Sequence, residues 1–277
     1  MQILTNFVVA LASEAKPIIK RFRLKRCEEA RGVTLFARDN IRLIVSGIGK
    51  AASATAVGYI AGSELHDTIH IWLNVGIAGH QTLAPGSVGM AHVITDRATG
   101  IADYPSLVFR TPCPSYALEC FDEPTTTYAG DAMCDMESSA FFSAAARFSS
   151  VEFVHALKII SDNSAADIAT LDRASISALV ETSLDNIEFV TDALSRLAAE
   201  HLFATVLPSD ALLARWRFSA TQKHQLAALA RRWAALRPHD EWPGDALQSC
   251  HDARAVLSRI GAIVDSSVQW LEPTGEK

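Results

Sequence analysis

The stretch Cys134-Asp135-Met136-Glu137-Ser138-Ser139-Ala140-Phe141-Phe142 sets a carboxylate, Glu137, in a largely small and apolar run. Leu157-Lys158-Ile159-Ile160-Ser161-Asp162-Asn163 ends a strand-like run on Ser161-Asp162, leaving a second carboxylate at the carboxyl end of a core strand. Phe7-Val8-Val9-Ala10-Leu11-Ala12, followed by Ser13-Glu14, supplies a third. In open α/β sheets ligands bind outside the carboxyl ends of the strands. Acids aimed at one crevice divide the work, one holding a hydroxyl and another donating a proton. Taken singly, each acid has an ordinary structural explanation. Glu14 reads as a solvated helix-start residue, Glu137 as a partly buried acid paired with an Arg, and Asp162 as a helix N-cap. Their common placement at one sheet edge shifts the balance toward a site.

Two glycine-containing segments share that edge. Ser46-Gly47-Ile48-Gly49-Lys50 lies between a strand and a helix, where backbone N–H groups can face an anion or a sugar. Gly76-Ile77-Ala78-Gly79 has the same form, read as a turn after the next strand. Neither is a P-loop or a GxGxxG, and a packing turn is the alternative for each. The nine histidines and five cysteines form no HExxH, no CxxC and no zinc-spaced cluster, so no metal and no cofactor are assigned. GxSxG is absent too, which excludes a nucleophile elbow.

The elements that must position these residues read as strands at 7–12, 42–46, 70–75, 87–95, 117–121 and 152–160. Helices are predicted at 51–62, 138–148 and 171–201, with Ser13 as an N-cap and Pro17 in a first helical turn. Alternating strands and helices predict a mostly parallel sheet with helices on both faces. After Pro208 the texture changes. Residues 211–236 and 246–270 read as helices, the first basic and interleaved with Trp216, Phe218 and Trp233; a solvated face with the tryptophans inward is the expectation. The domain reading is 1–206 plus a helical extension at 207–277.

At 277 residues, 49% hydrophobic and 20% charged, the chain is long and apolar enough for a sizeable core. A net charge of −6 argues against nucleic acid or an anionic membrane as partner. Residues 1–6 lack a basic signal-peptide start, Glu14 cuts the apolar run short, and no stretch is long enough to span a membrane. The scattered, odd number of cysteines fits free thiols. A cytoplasmic protein is expected.

In this order, Val8-Val9-Ala10-Leu11-Ala12-Ser13-Glu14, Ser46-Gly47-Ile48-Gly49-Lys50, Asn74-Val75-Gly76-Ile77-Ala78-Gly79, Asp135-Met136-Glu137-Ser138-Ser139-Ala140 and Ile160-Ser161-Asp162 resemble the purine nucleoside phosphorylase/nucleosidase superfamily. The nearest likeness is to methylthioadenosine/S-adenosylhomocysteine nucleosidases and the related futalosine and hopanoid-associated enzymes; it covers residues 1 to about 200. The resemblance implies a three-layer nucleoside phosphorylase-like fold, with a central twisted, mixed, mostly parallel sheet flanked by helices and the helical extension added. It also implies hydrolysis of the N-glycosidic bond of an adenine-type nucleoside, with or without a 5′ substituent, by a homodimer or higher homo-oligomer.

In that scheme Asp162 is the general acid toward purine N7 and Ser161 orients it. Met136 and Glu137 hold the ribose, and Glu14 deprotonates the attacking water. Gly79, Ile77 and Ala78 shape the pocket. Phe121, or else Tyr104, stacks on the base. For Asp162 to be protonated near neutral pH, burial and neighbouring negative charge would have to raise its pKa. Phosphorylases of the superfamily carry an Arg and a Ser where this chain has Asn74 and Ile77, which favours water over phosphate, although Lys16 and Lys50 leave phosphorolysis open. His80 replaces a Gly common in the family. Alternatives are phosphorolysis on the same fold, or a catalytically idle nucleoside-binding or regulatory protein.

Overall fold

The strand that ends on Ser161-Asp162 is buried along all of its length, as a strand covered on both faces must be. The computed structural model describes residues 2–30, 32–63, 68–125, 127–128, 130–165, 171–204, 215–237, 240 and 242–268. Among these residues ten strands form one mixed sheet: β1 (Gln2–Val9), β2 (Lys25–Arg26), β3 (Thr34–Arg38), β4 (Ile41–Val45), β5 (Thr68–Gly79), β6 (Val88–Asp96), β7 (Ala102–Asp103), β8 (Ser115–Cys120), β9 (Ala132–Asp135) and β10 (Val154–Asp162). The strand order is β10-β6-β8-β9-β5-β1-β4-β3-β2, with β7 on β6. β10 also pairs with β5, so β10, β6, β8, β9 and β5 curl into a closed ring, while β1 to β4 continue as an open twisted sheet. At its centre β10, β5, β1 and β4 run parallel, and their carboxyl ends point the same way.

Helices α1 (Ala12–Phe22), α2 (Lys50–Ser63), α3 (Ser138–Ala145), α4 (Arg173–Thr182) and α5 (Leu184–Ala204) complete the layers. Val8, Ile44 and Trp72 of the sheet pack with Val57 and Ile60 of α2 and Phe141 and Phe142 of α3, all essentially excluded from water. Each such side chain contributes about 1.5–3 kcal/mol by leaving water.

Four local expectations are corrected. Helix α1 begins at Ala12 with Leu11 as N-cap, so Ser13 lies inside the first turn and Pro17 beyond it. The cap comes instead from Glu14, whose Oε2 accepts the Leu11 N–H at 2.8 Å. The single helix expected at 171–201 is two, broken at Ser183, whose hydroxyl turns back to the Leu179 carbonyl. Gly76 to Gly79 form no turn: β5 runs straight through them to Gly79.

The chain divides into two compact units, residues 1–198 and 199–277. In the second, α6 (Ala220–Leu236) starts from a Ser219–Gln222 capping box, later than the helix expected from 211, and residues 211–214 lie outside the described ones. A 3-10 turn at Asp245–Leu247 precedes α7 (Ala253–Val268), and residues 269–270 of the expected helix also lie outside the described residues. Trp216, Trp233, Leu226, Val256, Ile260 and Val264 form this unit's core. Among the described residues no helix is long and apolar enough to cross a membrane.

Candidate active site

A cavity of about 190 Å³ opens at the carboxyl ends of β1, β5, β9 and β10. Glu14 enters it from the first turn of α1, Met136 and Glu137 from the β9–α3 junction, and Ser161 and Asp162 from the end of β10. Ile77, Ala78 and Gly79 line it from the end of β5, and Ile48 from the turn before α2. The residues singled out in the sequence therefore converge, with two exceptions. Phe121 does not line the cavity; its ring lies 5.9 Å beneath the Arg97 guanidinium. Tyr104 is 70% exposed and does not line it either. Among the described residues, the aromatic on the cavity wall is Tyr128.

Glu14 is only 2% exposed. Its Oε1 accepts the Ile77 N–H at 2.8 Å while Oε2 caps α1, so the carboxylate is clamped between helix and strand. Gly76 makes room for it, since a Cβ there would lie 3.0 Å from Oε1. This close approach explains the small residue that made the segment look like a turn. Burial pushes the Glu14 carboxyl up from its ordinary 4.5 to about 7, against the pull of both N–H bonds and of Lys158, with Glu137 adding to the rise.

Glu137 precedes α3 and is likewise buried. Its Oε1 accepts the Gly49 N–H at 2.7 Å. Gly47 and Gly49 take positive φ angles of 88° and 95°, a conformation that L side chains rarely adopt, and this aims the amide. The first glycine segment is thus a true turn whose N–H group serves a protein carboxylate at the head of α2. Burial raises the Glu137 carboxyl above its ordinary value; Lys158 and the Gly49 N–H oppose the rise and Asp135 adds to it.

Behind these acids lies Lys158, fully enclosed in β10, its Nζ 2.8 Å from Asp135 Oδ2 and 2.6 Å from Asn74 Oδ1. Burial opposes its charge, but Asp135, Glu137 and Glu14 outweigh that and hold the ammonium above its ordinary range. Asp135 also accepts from the Ser138 hydroxyl and N–H, at 2.7 and 3.0 Å. Sequence reasoning gave Lys158 no role. The signal was there: a lysine inside an apolar strand must be paired when buried.

Asp162 is 1% exposed. Its Oδ1 accepts from the Ser161 hydroxyl and its Oδ2 from the Tyr128 hydroxyl. His80, the next residue after β5, donates its N–H to the Asp162 carbonyl at 3.1 Å. The His80 ring is buried, and Nδ1 accepts the N–H groups of Thr82 and Leu83, both at 3.0 Å, which leaves the ring proton on Nε2. That Nε2 lies 3.3 Å from Asp131 Oδ1, without hydrogen-bond alignment.

The basic residues near the site are spoken for or turned away. Lys50 Nζ sits 2.7 Å from Asp96 and 2.8 Å from Asp122, and Lys16 is exposed. Asn74 is buried behind the cavity, donating to the Val8 carbonyl at 3.0 Å and accepting from Lys158. Among the described residues no group of three or more His, Cys, Asp or Glu side chains is placed to hold a metal ion.

No family model matches the sequence, and no curated protein matches it. Solved structures do. The 5′-methylthioadenosine/S-adenosylhomocysteine nucleosidase of S. pneumoniae, held with a transition-state inhibitor, superposes with a TM-score of 0.55 at 18% identity, over 70% of this chain and 100% of that one. The 5′-methylthioadenosine nucleosidase of Arabidopsis thaliana gives 0.53 at 17%, over 68% and 95%. The futalosine hydrolase of Helicobacter pylori gives 0.54 at 14%, over 69% and 97%. This chain therefore has the purine nucleoside phosphorylase/nucleosidase fold that the sequence resemblance implied. At such identities the likeness speaks to fold alone.

Proposed function

We propose that this chain hydrolyses the N-glycosidic bond of an adenine-type purine nucleoside, with or without a 5′ substituent, and releases the free base. One observation carries the reading: Glu14, Glu137 and Asp162, far apart in sequence, share one cavity. Its described lining holds five carboxylates, with Glu123 and Asp135, and no Lys, Arg or His. Cleaving an N-glycosidic bond builds oxocarbenium character on the sugar, which carboxylates stabilise, while the base leaves with a proton from an acid.

In this reading Asp162 gives its proton to N7 of the departing base, and Ser161, donating to Oδ1, orients it. Glu137 accepts from a ribose hydroxyl beside Met136. Glu14 takes a proton from water as the water oxygen bonds to C1′ and the C1′–N bond breaks. A base with a pKa of about 7 is matched to that task near neutral pH. Ile77, Ala78 and Gly79 shape the pocket wall.

Water is favoured over phosphate because a phosphate dianion would meet carboxylates and no cation. Lys50 and Lys158 are already engaged by aspartates, and Ile77 offers no hydroxyl. The neighbours named for 5′-methylthioadenosine, S-adenosylhomocysteine and futalosine support a 5′-substituted substrate. We place the enzyme in the cytoplasm as a homodimer or larger homo-oligomer; the exposed Ile101, Tyr104 and Val108 on one segment support self-association. The test is a panel of 5′-modified adenosines incubated with and without phosphate. Free base and free sugar, independent of phosphate, are expected. Sugar 1-phosphate would make the enzyme a phosphorylase, and release of no base from any substrate would make it a binding protein.

A further inference from the structure

Both oxygens of the Asp162 carboxylate already have a donor from within the protein, Ser161 on Oδ1 and Tyr128 on Oδ2. The Tyr128 ring also lies against the backbone of Gly79, the residue of β5 that pairs with Asp162. A Cβ at Gly79 would overlap the Tyr128 ring edge and hydroxyl, so glycine there makes room for the phenol. Hydroxyl and ring together take the oxygen and the space that a leaving base would need to receive its proton.

We propose that Tyr128 is a built-in competitor of the leaving base and the residue that sets selectivity at the base subsite. This rests on the reading of Asp162 as the proton donor to the base. A hydrogen bond from a hydroxyl to a carboxylate is charge-assisted and stronger than a neutral one. A ligand that displaces it without offering a polar partner in return leaves a buried oxygen of Asp162 unsatisfied. The subsite therefore admits planar bases whose ring nitrogen shares a proton with Oδ2, and rejects apolar groups that merely fill the space. Apparent affinity is the intrinsic affinity multiplied by the fraction of molecules in which Tyr128 has moved aside.

The test is adenine binding by titration calorimetry, alongside steady-state kinetics on a 5′-substituted adenosine, for wild type, Tyr128→Phe and Tyr128→Ala. Tyr128→Phe keeps the ring and loses only the hydroxyl. It should bind adenine roughly tenfold more tightly, with KM lowered in the same direction. Tyr128→Ala should tighten binding at least as much and accept adenines enlarged at N6 that wild type refuses. Unchanged or weaker adenine binding in Tyr128→Phe, in a protein that still turns over, overturns the competitor and leaves the hydrolase standing. If wild type and both variants neither bind adenine nor release base, the assignment of Asp162 falls, and the competitor with it.

Discussion

Replacing Glu14 by Gln separates two consequences of one buried proton. In the folded protein the Glu14 carboxyl titrates at about 7, against 4.5 for an ordinary glutamate. Between those values the folded state keeps a proton that the unfolded chain has released. Stability therefore falls as pH rises through this window, is fully present below 4.5, and has lost its whole contribution above about 7. At about 1.4 kcal/mol per pH unit, the gap amounts to about 3 kcal/mol. Gln cannot titrate. Relative to wild type, Glu14→Gln should gain about 3 kcal/mol between pH 4.5 and a pH above 7. Urea denaturation of both proteins across that range reads the difference directly, and the raised Glu137, present in both, largely cancels. Activity should move the opposite way. Wild-type kcat/KM should rise with pH with a midpoint near 7, as the base loses its proton. Glu14→Gln should lose on the order of 10²-fold or more in kcat at every pH. A stability difference that stays flat with pH would refute the raised carboxyl.

Asp162→Asn should lower kcat by roughly 10² to 10⁴ with the circular-dichroism spectrum unchanged; retained turnover would remove Asp162 from proton transfer. Glu137→Gln should raise KM for a ribonucleoside and leave a 2′-deoxy analogue less affected, so equal responses in the kinetics would count against ribose holding. Lys158→Met leaves Asp135 buried without its cation and should destabilise the protein by about 3–5 kcal/mol, read as a shift in the urea midpoint. Gly76→Ala places a methyl 3.0 Å from Glu14 Oε1 and should displace the pH–rate midpoint from wild type's; an identical profile would mean the carboxylate is free to move.

Glu14, Glu137 and Asp162 were legible because each is a charged residue at the end of an apolar run, and in a parallel sheet such ends share an edge. The glycine segments show where pattern reading stops. Ser46 to Lys50 and Gly76 to Gly79 look alike as strings, yet the first turns with positive φ and the second stays extended. The difference lies in what packs on them: Glu14 against Gly76, Tyr128 against Gly79. No local rule encodes those contacts. Tyr128 was hidden for the same reason, in a Thr-rich segment that reads as a break between elements and reaches Asp162 only through the tertiary fold. Strands β2, β3, β7 and β9 escaped because runs of two to five residues carry little periodicity.

The central claim, that three acids around one cavity direct water at a nucleoside, is tested most directly by isotope. A 5′-substituted adenosine is turned over in ¹⁸O-labelled water with phosphate present, and the sugar product is weighed by mass spectrometry. The account predicts one heavy oxygen at C1 of a free sugar, lost together with base release in Asp162→Asn. Unlabelled sugar 1-phosphate, or an intact nucleoside with every substrate tried, would contradict it.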